Sequence, residues 1–247
     1  MNAASSSSPA ISRPLPAPRP VLRELPRGAP AVGGLTAFST VDWPGRLAAV
    51  VYIAGCPWRC HYCHNPELQM RTARYDWKQV RAFLESRRGL LDAVVFSGGE
   101  PLSEPRMPQL LRDVRRMGYA AGLHTAGIYP MRLGDALPML DWVGLDIKAD
   151  AAGYDDITGR RHSQRLVLDS LAQLLASGTS FECRITWSPE WLDETRLLAL
   201  ARQLARRGVR RFAVQNVRAT PDSPPENRLG AQAHRILSGL FEEYACR

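Results

Sequence analysis

The sequence predicts an α/β fold, an open partial (β/α)6 barrel with parallel strands. Three observations lead there. Short continuous apolar runs alternate with helical stretches from Arg46 onward, the pattern of strands buried on both faces beneath helices. Six such strand–helix units are too few to close an eight-unit barrel but suffice for a curved, open sheet. The residue types suited to chemistry fall at or just after these strands, where parallel sheets gather their ligands.

The elements follow in order. Residues 1–33 read as a disordered tail, because they hold seven of the nineteen prolines and a four-serine run, too little apolar material to offset the entropy of ordering. The stretch lacks the amphipathic helix of a transit peptide and the apolar core of a secretory signal. Residues 34–247 then form one domain. RLAAVVYI (46–53) is the first strand and feeds a cysteine loop. DWKQVRAFLESRRG (76–89) is a helix, capped by Asp76 and stopped by Gly89. LDAVVFS (91–97) is a strand running into GGEP, MPQLLRDVRRMG (107–118) a helix, and YAAGLHT (119–125) a strand. MRLGDALPML (131–140) is a short helix bent by Pro138, and DWVGLDIK (141–148) a strand. RLVLDSLAQLLASG (165–178) is a helix with Leu166, Leu171, Leu174 and Leu175 on one face. FECRITW (181–187) is a strand, WLDETRLLALARQLARRG (191–208) a long helix and VRRFAVQNV (209–217) a strand. A polar, Pro-rich loop from Arg218 to Asn227 leads to a last helix over Ala231–Tyr244.

The whole chain sets outer bounds. At 247 residues and 45% hydrophobic content it can bury a sizeable core. No apolar run reaches the roughly 20 residues of a membrane span, so the expectation is a soluble, cytoplasmic protein with no membrane partner. The net charge is +8; it is either a solvated basic surface or a patch for an acidic partner, nucleic acid or an acidic redox protein. Five cysteines are an odd number and three are crowded together. That is a poor disulfide framework and a good metal cluster, which implies a reducing compartment. Cys183 reads as a buried thiol and Cys246 as an exposed bystander.

The crowded three, Cys56, Cys60 and Cys63, lie in AGCPWRCHYCHNPE (54–67). Thiolates suit zinc, copper(I) and iron–sulfur clusters. A structural zinc site wants four ligands, and His61 or His64 could complete a Cys₃His set. A four-iron cluster normally takes four thiolates, so three leave one iron open to a substrate or cofactor. Spacing alone leaves both open, and the lack of a second cysteine pair favours the cluster.

The spacing C-x₃-C-x₂-C, with aromatic Tyr62 just before the last cysteine, resembles the radical S-adenosylmethionine (SAM) superfamily. GCPWRCHYCHNPEL (55–68) looks like its glycyl-radical-enzyme activating proteins. FSTVDWPGR (38–46) resembles that group's lead-in turn, with Trp43 in place of a glycine. Together with HTAGIYP (124–130), it is most similar to the activators of anaerobic (class III) ribonucleotide reductase. The resemblance covers about residues 34–217.

The resemblance implies an iron–sulfur oxidoreductase that cleaves SAM reductively to a 5′-deoxyadenosyl radical and makes a glycyl radical on a partner, by the closest likeness class III ribonucleotide reductase. Cys56, Cys60 and Cys63 would hold a [4Fe–4S] cluster whose fourth iron SAM chelates, and no catalytic side chain is implied beyond these cofactors. Tyr62, Cys63 and His64 would lie beside the adenine. Gly98 and Gly99 would face the methionine amino group, with Glu100 balancing charge there. Thr125, Asp146, Lys148 and Arg184 would complete the cofactor contacts. His124 stands where pyruvate formate-lyase activating enzyme has an aspartate, which puts a similar monovalent-cation site in doubt. Flavodoxin or ferredoxin would be the electron donor. Another glycyl radical enzyme or a small-molecule substrate is the alternative. A Cys₃His zinc module binding nucleic acid is the remote one, since it explains neither the six βα units nor the lack of an aromatic basic stripe.

Overall fold

A computed structural model describes residues 28–217 and 228–247. Most of the tail expected at residues 1–33 and the loop from Arg218 to Asn227 lie outside the described residues. The described chain forms one eight-stranded sheet in sequence order: β1 (Val32–Ser39), β2 (Ala48–Ile53), β3 (Ala93–Gly98), β4 (Ala120–Thr125), β5 (Trp142–Ile147), β6 (Ser180–Trp187), β7 (Arg211–Asn216) and β8 (Glu243–Cys246). Strands β2 to β8 are parallel, and β1 runs antiparallel to β2. The helices are α1 (Trp77–Glu85), α2 (Met107–Arg116), α3 (Pro130–Ala136), α4 (Tyr154–Thr158), α5 (Ser163–Ser177), α6 (Glu194–Arg206) and α7 (Ala231–Leu240). The six expected βα units are thus β2–α1 through β7–α7, with β1 and β8 as the sheet's two edges.

Three expectations need correction. The fold begins before residue 34: Ala31 and Val32 are fully buried, and Ala31 is bonded through its carbonyl to Ala54 N (2.7 Å) and through its amide to Glu104 Oε2 (3.1 Å). Strand β1 was hidden because Gly33, Gly34 and Thr36 break any apolar run. The last helix stops at Leu240, not Tyr244, and the residues beyond it pair with β7. Phe241 stacks on Phe212 with centroids 4.8 Å apart, which anchors that return. On α5 the buried stripe is Val167, Leu171 and Leu174, whereas Leu166 and Leu175 remain partly exposed.

Local signals were kept elsewhere. Asp76 caps α1 by accepting from Lys78 N at 2.9 Å, while Gln79 Oε1 accepts from Asp76 N at 3.1 Å, a reciprocal capping box. Cys183 is buried and Cys246 exposed. No helix among the described residues is long and apolar enough to cross a membrane.

The main core lies between the sheet's outer face and the helices, with Phe96, Leu123 and Leu145 against Leu84, Leu111 and Leu171. The inner face is different. Its residues at the amino ends of β2 to β4 are small: Ala48, Ala93 and Ala120, with Gly122 next on the same face of β4. Two indoles fill that space, Trp43 and Trp142, stacked at 5.5 Å and 19°. A Cβ on Gly122 would sit 2.9 Å from the Trp43 ring. Trp43 therefore plugs the base of the open barrel.

Candidate functional site

Strand β2 delivers the chain into the cysteine loop. The loop folds back on itself through Gly55 N to Leu68 O (2.8 Å) and Cys56 N to Gln69 O (3.1 Å). A tight turn, Cys63 N to Cys60 O at 3.1 Å, draws the last two cysteines together. Guanidinium groups pin the outer side: Arg59 Nη1 donates to the carbonyls of Cys56 (2.6 Å) and Trp58 (2.8 Å), and Arg160 Nε to that of Pro57 (3.0 Å). All three thiols are half-buried and line one cavity of about 160 Å³. Burial pushes the Cys56 thiol up to about 11 and raises that of Cys60, so an incoming metal must displace protons from them. Among the described residues, no three His, Cys, Asp or Glu side chains converge as a single ion would require. Three separately placed soft thiolates fit a polynuclear iron–sulfur cluster, each binding its own iron, better than a Cys₃His zinc.

Gly98 and Gly99 end β3 against this loop. Gly98 has φ +117°, and a Cβ there would lie 2.4 Å from Ile53 O; one on Gly99 would lie 2.7 Å from the carbonyl oxygens of Gly55 and Leu68. Only glycine permits such backbone contact. Gly99 N donates to Ile53 O (2.8 Å) and Glu100 N to Gly55 O (2.9 Å). The glycine pair thus welds two strand ends together at the cavity wall.

Glu100 behaves differently from its predicted cofactor role. It is fully buried, does not line the cavity, and ties two rims together. Its Oε1 accepts from Thr125 Oγ1 (2.7 Å) and Leu102 N (3.0 Å), and its Oε2 from Ala126 N (2.9 Å). Burial pushes its carboxyl up to about 7, and these three donors pull it back. Thr125 does line the cavity, but its hydroxyl is spent on Glu100 and on accepting from Gly127 N at 3.0 Å. Glu100→Gln would turn an NH₂ against one of the donors, and unfolding titrations are expected to show a loss of about 1–3 kcal/mol.

Asp146 and Lys148 point inward together at the end of β5 and line the cavity. Arg184, predicted to reach the cofactor, does not line it. It pairs in register with Asp146 across β5 and β6 and donates twice to Asp146 Oδ1, from Nε at 2.9 Å and Nη2 at 2.6 Å. Lys148 Nζ holds Asp146 Oδ2 at 3.3 Å. Burial alone would raise the Asp146 carboxyl, but Arg184 and then Lys148 outweigh it and hold it well below the usual carboxylate range. Tyr62 roofs this pair, with Lys148 Nζ 6.0 Å from its ring and its hydroxyl donating to Lys148 O at 3.4 Å. Its other face stacks on Trp191 at 5.1 Å and 14°. His64 also lines the cavity.

His124 lies between the cavity and the tryptophan base. Its Nε2 sits 2.7 Å from Asp42 O, which can only accept, so Nε2 carries the proton and Nδ1 accepts from Ser97 Oγ at 3.2 Å. Burial, and then the nearby Arg184 charge, depress its pKa to about 3 from an ordinary 6.5. The ring is therefore neutral at physiological pH. The unfolded chain takes up a proton near pH 6.5 that the fold refuses until about pH 3. Stability is complete above that window and falls through it, by up to about 1.4 kcal/mol per pH unit. His124→Gln is expected to flatten this acid limb when urea midpoints are compared at pH 7 and pH 5.

Sequence reasoning missed Trp191, Ser97, Thr186 and Gln215. The last three line the cavity. Thr186 lies two residues beyond inward-facing Arg184, and the period of two along a strand was signal enough. Trp191 sits in a loop, where no periodicity applies.

Comparisons with known proteins identify the family. The Radical SAM superfamily matches residues 50–195. A protein of Methanocaldococcus jannaschii named as a glycyl-radical enzyme activating enzyme is 26% identical over 170 residues, 66% of this chain and 70% of that protein. The pyruvate formate-lyase-activating enzyme of Clostridium pasteurianum is 33% identical over 137 residues, 52% of this chain and 57% of its own length. The PqqA peptide cyclase of Gluconobacter oxydans is 29% identical over 209 residues, 76% of this chain and 58% of its own length. The chain thus spans little more than half of the latter two. A radical SAM methyltransferase from Sphaerobacter thermophilus shares the fold, with a TM-score of 0.62 at 17% identity over 83% of this chain and 67% of that one. A cysteine triad opening on the carboxyl end of a partial parallel barrel, matched over more than half its length by one family, places the chain in the radical SAM superfamily, whose members use a [4Fe–4S] cluster and SAM.

Proposed function

We propose that this chain generates a glycyl radical on a partner enzyme, and that the partner is class III ribonucleotide reductase. The observation that carries the reading is the meeting of three half-buried thiols, a glycine pair and a Lys148–Asp146 pair on one cavity. The two relatives named for glycyl-radical activation support the general reaction. The likeness of FSTVDWPG and HTAGIYP supports the particular partner.

When bound and reduced by one electron from the donor, the cluster and SAM would supply radical chemistry able to remove a hydrogen atom from a glycine Cα. The chain's own residues hold and shield that chemistry. Cys56, Cys60 and Cys63 would ligate three irons. The amides of Gly99 and Glu100 donate to Ile53 O and Gly55 O; an ammonium only donates, so the carbonyl oxygens of this turn are the groups that would meet it. Lys148, held in place by Asp146, would face the carboxylate, and the loop at Tyr62, Cys63 and His64 would lie beside the adenine. Arg184 and Glu100 act through Asp146 and the two rims. The +8 charge suits an acidic flavodoxin or ferredoxin as electron donor.

The test is anaerobic reconstitution with iron and sulfide, then reduction with SAM and the reductase. An organic radical by EPR and one 5′-deoxyadenosine per radical are expected. Cleavage of SAM with no radical on the reductase, but with one on pyruvate formate-lyase, would replace the partner. The similarity to PqqA peptide cyclases favours a second reading, modification of a short peptide; a lasting mass change in a peptide substrate would distinguish it.

A further inference from the structure

We propose that the wall of the cavity formed by β6 and β7 is a subsite for a peptide main chain, with Gln215 and Thr186 bonding the peptide groups that flank the reacting residue. The inference rests on the reading above, in which the substrate is a polypeptide glycine.

The cavity is chemically divided. One side carries the thiols, the glycine pair and the charged Asp146–Lys148 pair, all on elements from β2 to β5. The other side carries Thr186 on β6 and Gln215 on β7, which are neighbours in register. Both are half-buried and face the cavity. Neither side chain bonds to another described residue. In the free protein water can meet these half-buried groups, and a ligand with matching donors and acceptors would take its place.

Their chemistry selects the occupant. The cavity-lining side chains of β6 and β7, Thr186 and Gln215, are uncharged; Arg184 on β6 does not line the cavity and is held by Asp146, and Lys148 is assigned above to the cofactor carboxylate. A neutral group that both donates and accepts therefore suits these two side chains better than an anion. A primary amide offers a donor and an acceptor side by side, and a hydroxyl offers both. That set matches the C=O and N–H of peptide bonds. Glycine has no side chain to grip, so the peptide groups on either side of its Cα are the only handles near the reacting atom.

The experiment uses reconstituted full-length protein and two substrates. One is the class III reductase; the other is a short blocked peptide with a Cα-dideuterated central glycine. The readouts are deuterium in 5′-deoxyadenosine, KM for SAM and uncoupled SAM cleavage. Gln215→Leu and the near-isosteric Thr186→Val are expected to keep iron content, KM for SAM and uncoupled cleavage. They are expected to lower deuterium transfer from the peptide about tenfold, the cost of a lost hydrogen bond in a closed site; Thr186→Ser restores it. Unchanged deuterium transfer in both variants, or a raised KM for SAM in place of the substrate defect, overturns the subsite. So does a wild-type protein that takes no deuterium from any glycyl peptide. If the peptide arm succeeds while the reductase gains no radical, the subsite stands and the choice of partner falls.

Discussion

Cys60→Ala is expected to abolish SAM cleavage while leaving the protein folded. The loop would keep two thiolates, and a four-iron cluster already one protein ligand short cannot be held by two. Iron and sulfide contents should fall to background after anaerobic reconstitution, with the visible absorption of the cluster and its reduced EPR signal. Cys56→Ala and Cys63→Ala should behave alike. The fold should survive, because the loop is closed by main-chain bonds at Gly55, Cys56 and Cys63 and clamped by Arg59 and Arg160, none of which uses a sulfur. Cys183→Ala is the control. Its thiol is fully buried on β6, so it should lower stability modestly and leave the cluster intact. A Cys60→Ala protein that still assembles a four-iron centre would overturn the ligand set.

Asp146→Ala is expected to produce the largest loss of stability of any single change at the site. It would strand two cations, Arg184 and Lys148, whose side chains are 6% and 15% exposed. Removing one partner of a buried ion pair costs about 3–5 kcal/mol, because the remaining charge stays out of water without compensation. The effect should appear as a lowered urea midpoint at neutral pH. The double variant Asp146→Ala with Arg184→Met should recover part of it, since an apolar side chain needs no counter-ion. The pH dependence has a definite sign. The folded carboxyl titrates below its ordinary 3.8, so its stabilisation is present above that value and is lost only as pH falls further toward the folded value. A midpoint for Asp146→Ala equal to that of wild type would show that the cations are solvated.

The cysteine spacing, the glycine pair and the inward Asp146–Lys148 pair were legible because each is local: a spacing, a turn, a period of two. What stayed hidden depends on partners distant in sequence. Arg184 reads as a cofactor ligand until its registration opposite Asp146 on the neighbouring strand is known. Glu100 reads as a charge in the site until Thr125 and Ala126, one βα unit later, are seen to close around it. Strand β1 lacks an apolar run because glycines occupy Gly33 and Gly34, where a Cβ would meet Leu68 at 2.5 Å and Tyr52 at 3.1 Å. Trp43 reads from the sequence only as a departure from a glycine at a turn, and the small residues facing it across three strands explain its size.

That tryptophan has a further consequence. Two stacked indoles stopper one end of the vessel, which leaves the opposite rim as its mouth. Under the proposed function, spent methionine and nucleoside would leave by the same rim through which the substrate loop arrives. Under that reading the partner that docks last would withdraw first, and turnover would wait on the parting of the two proteins.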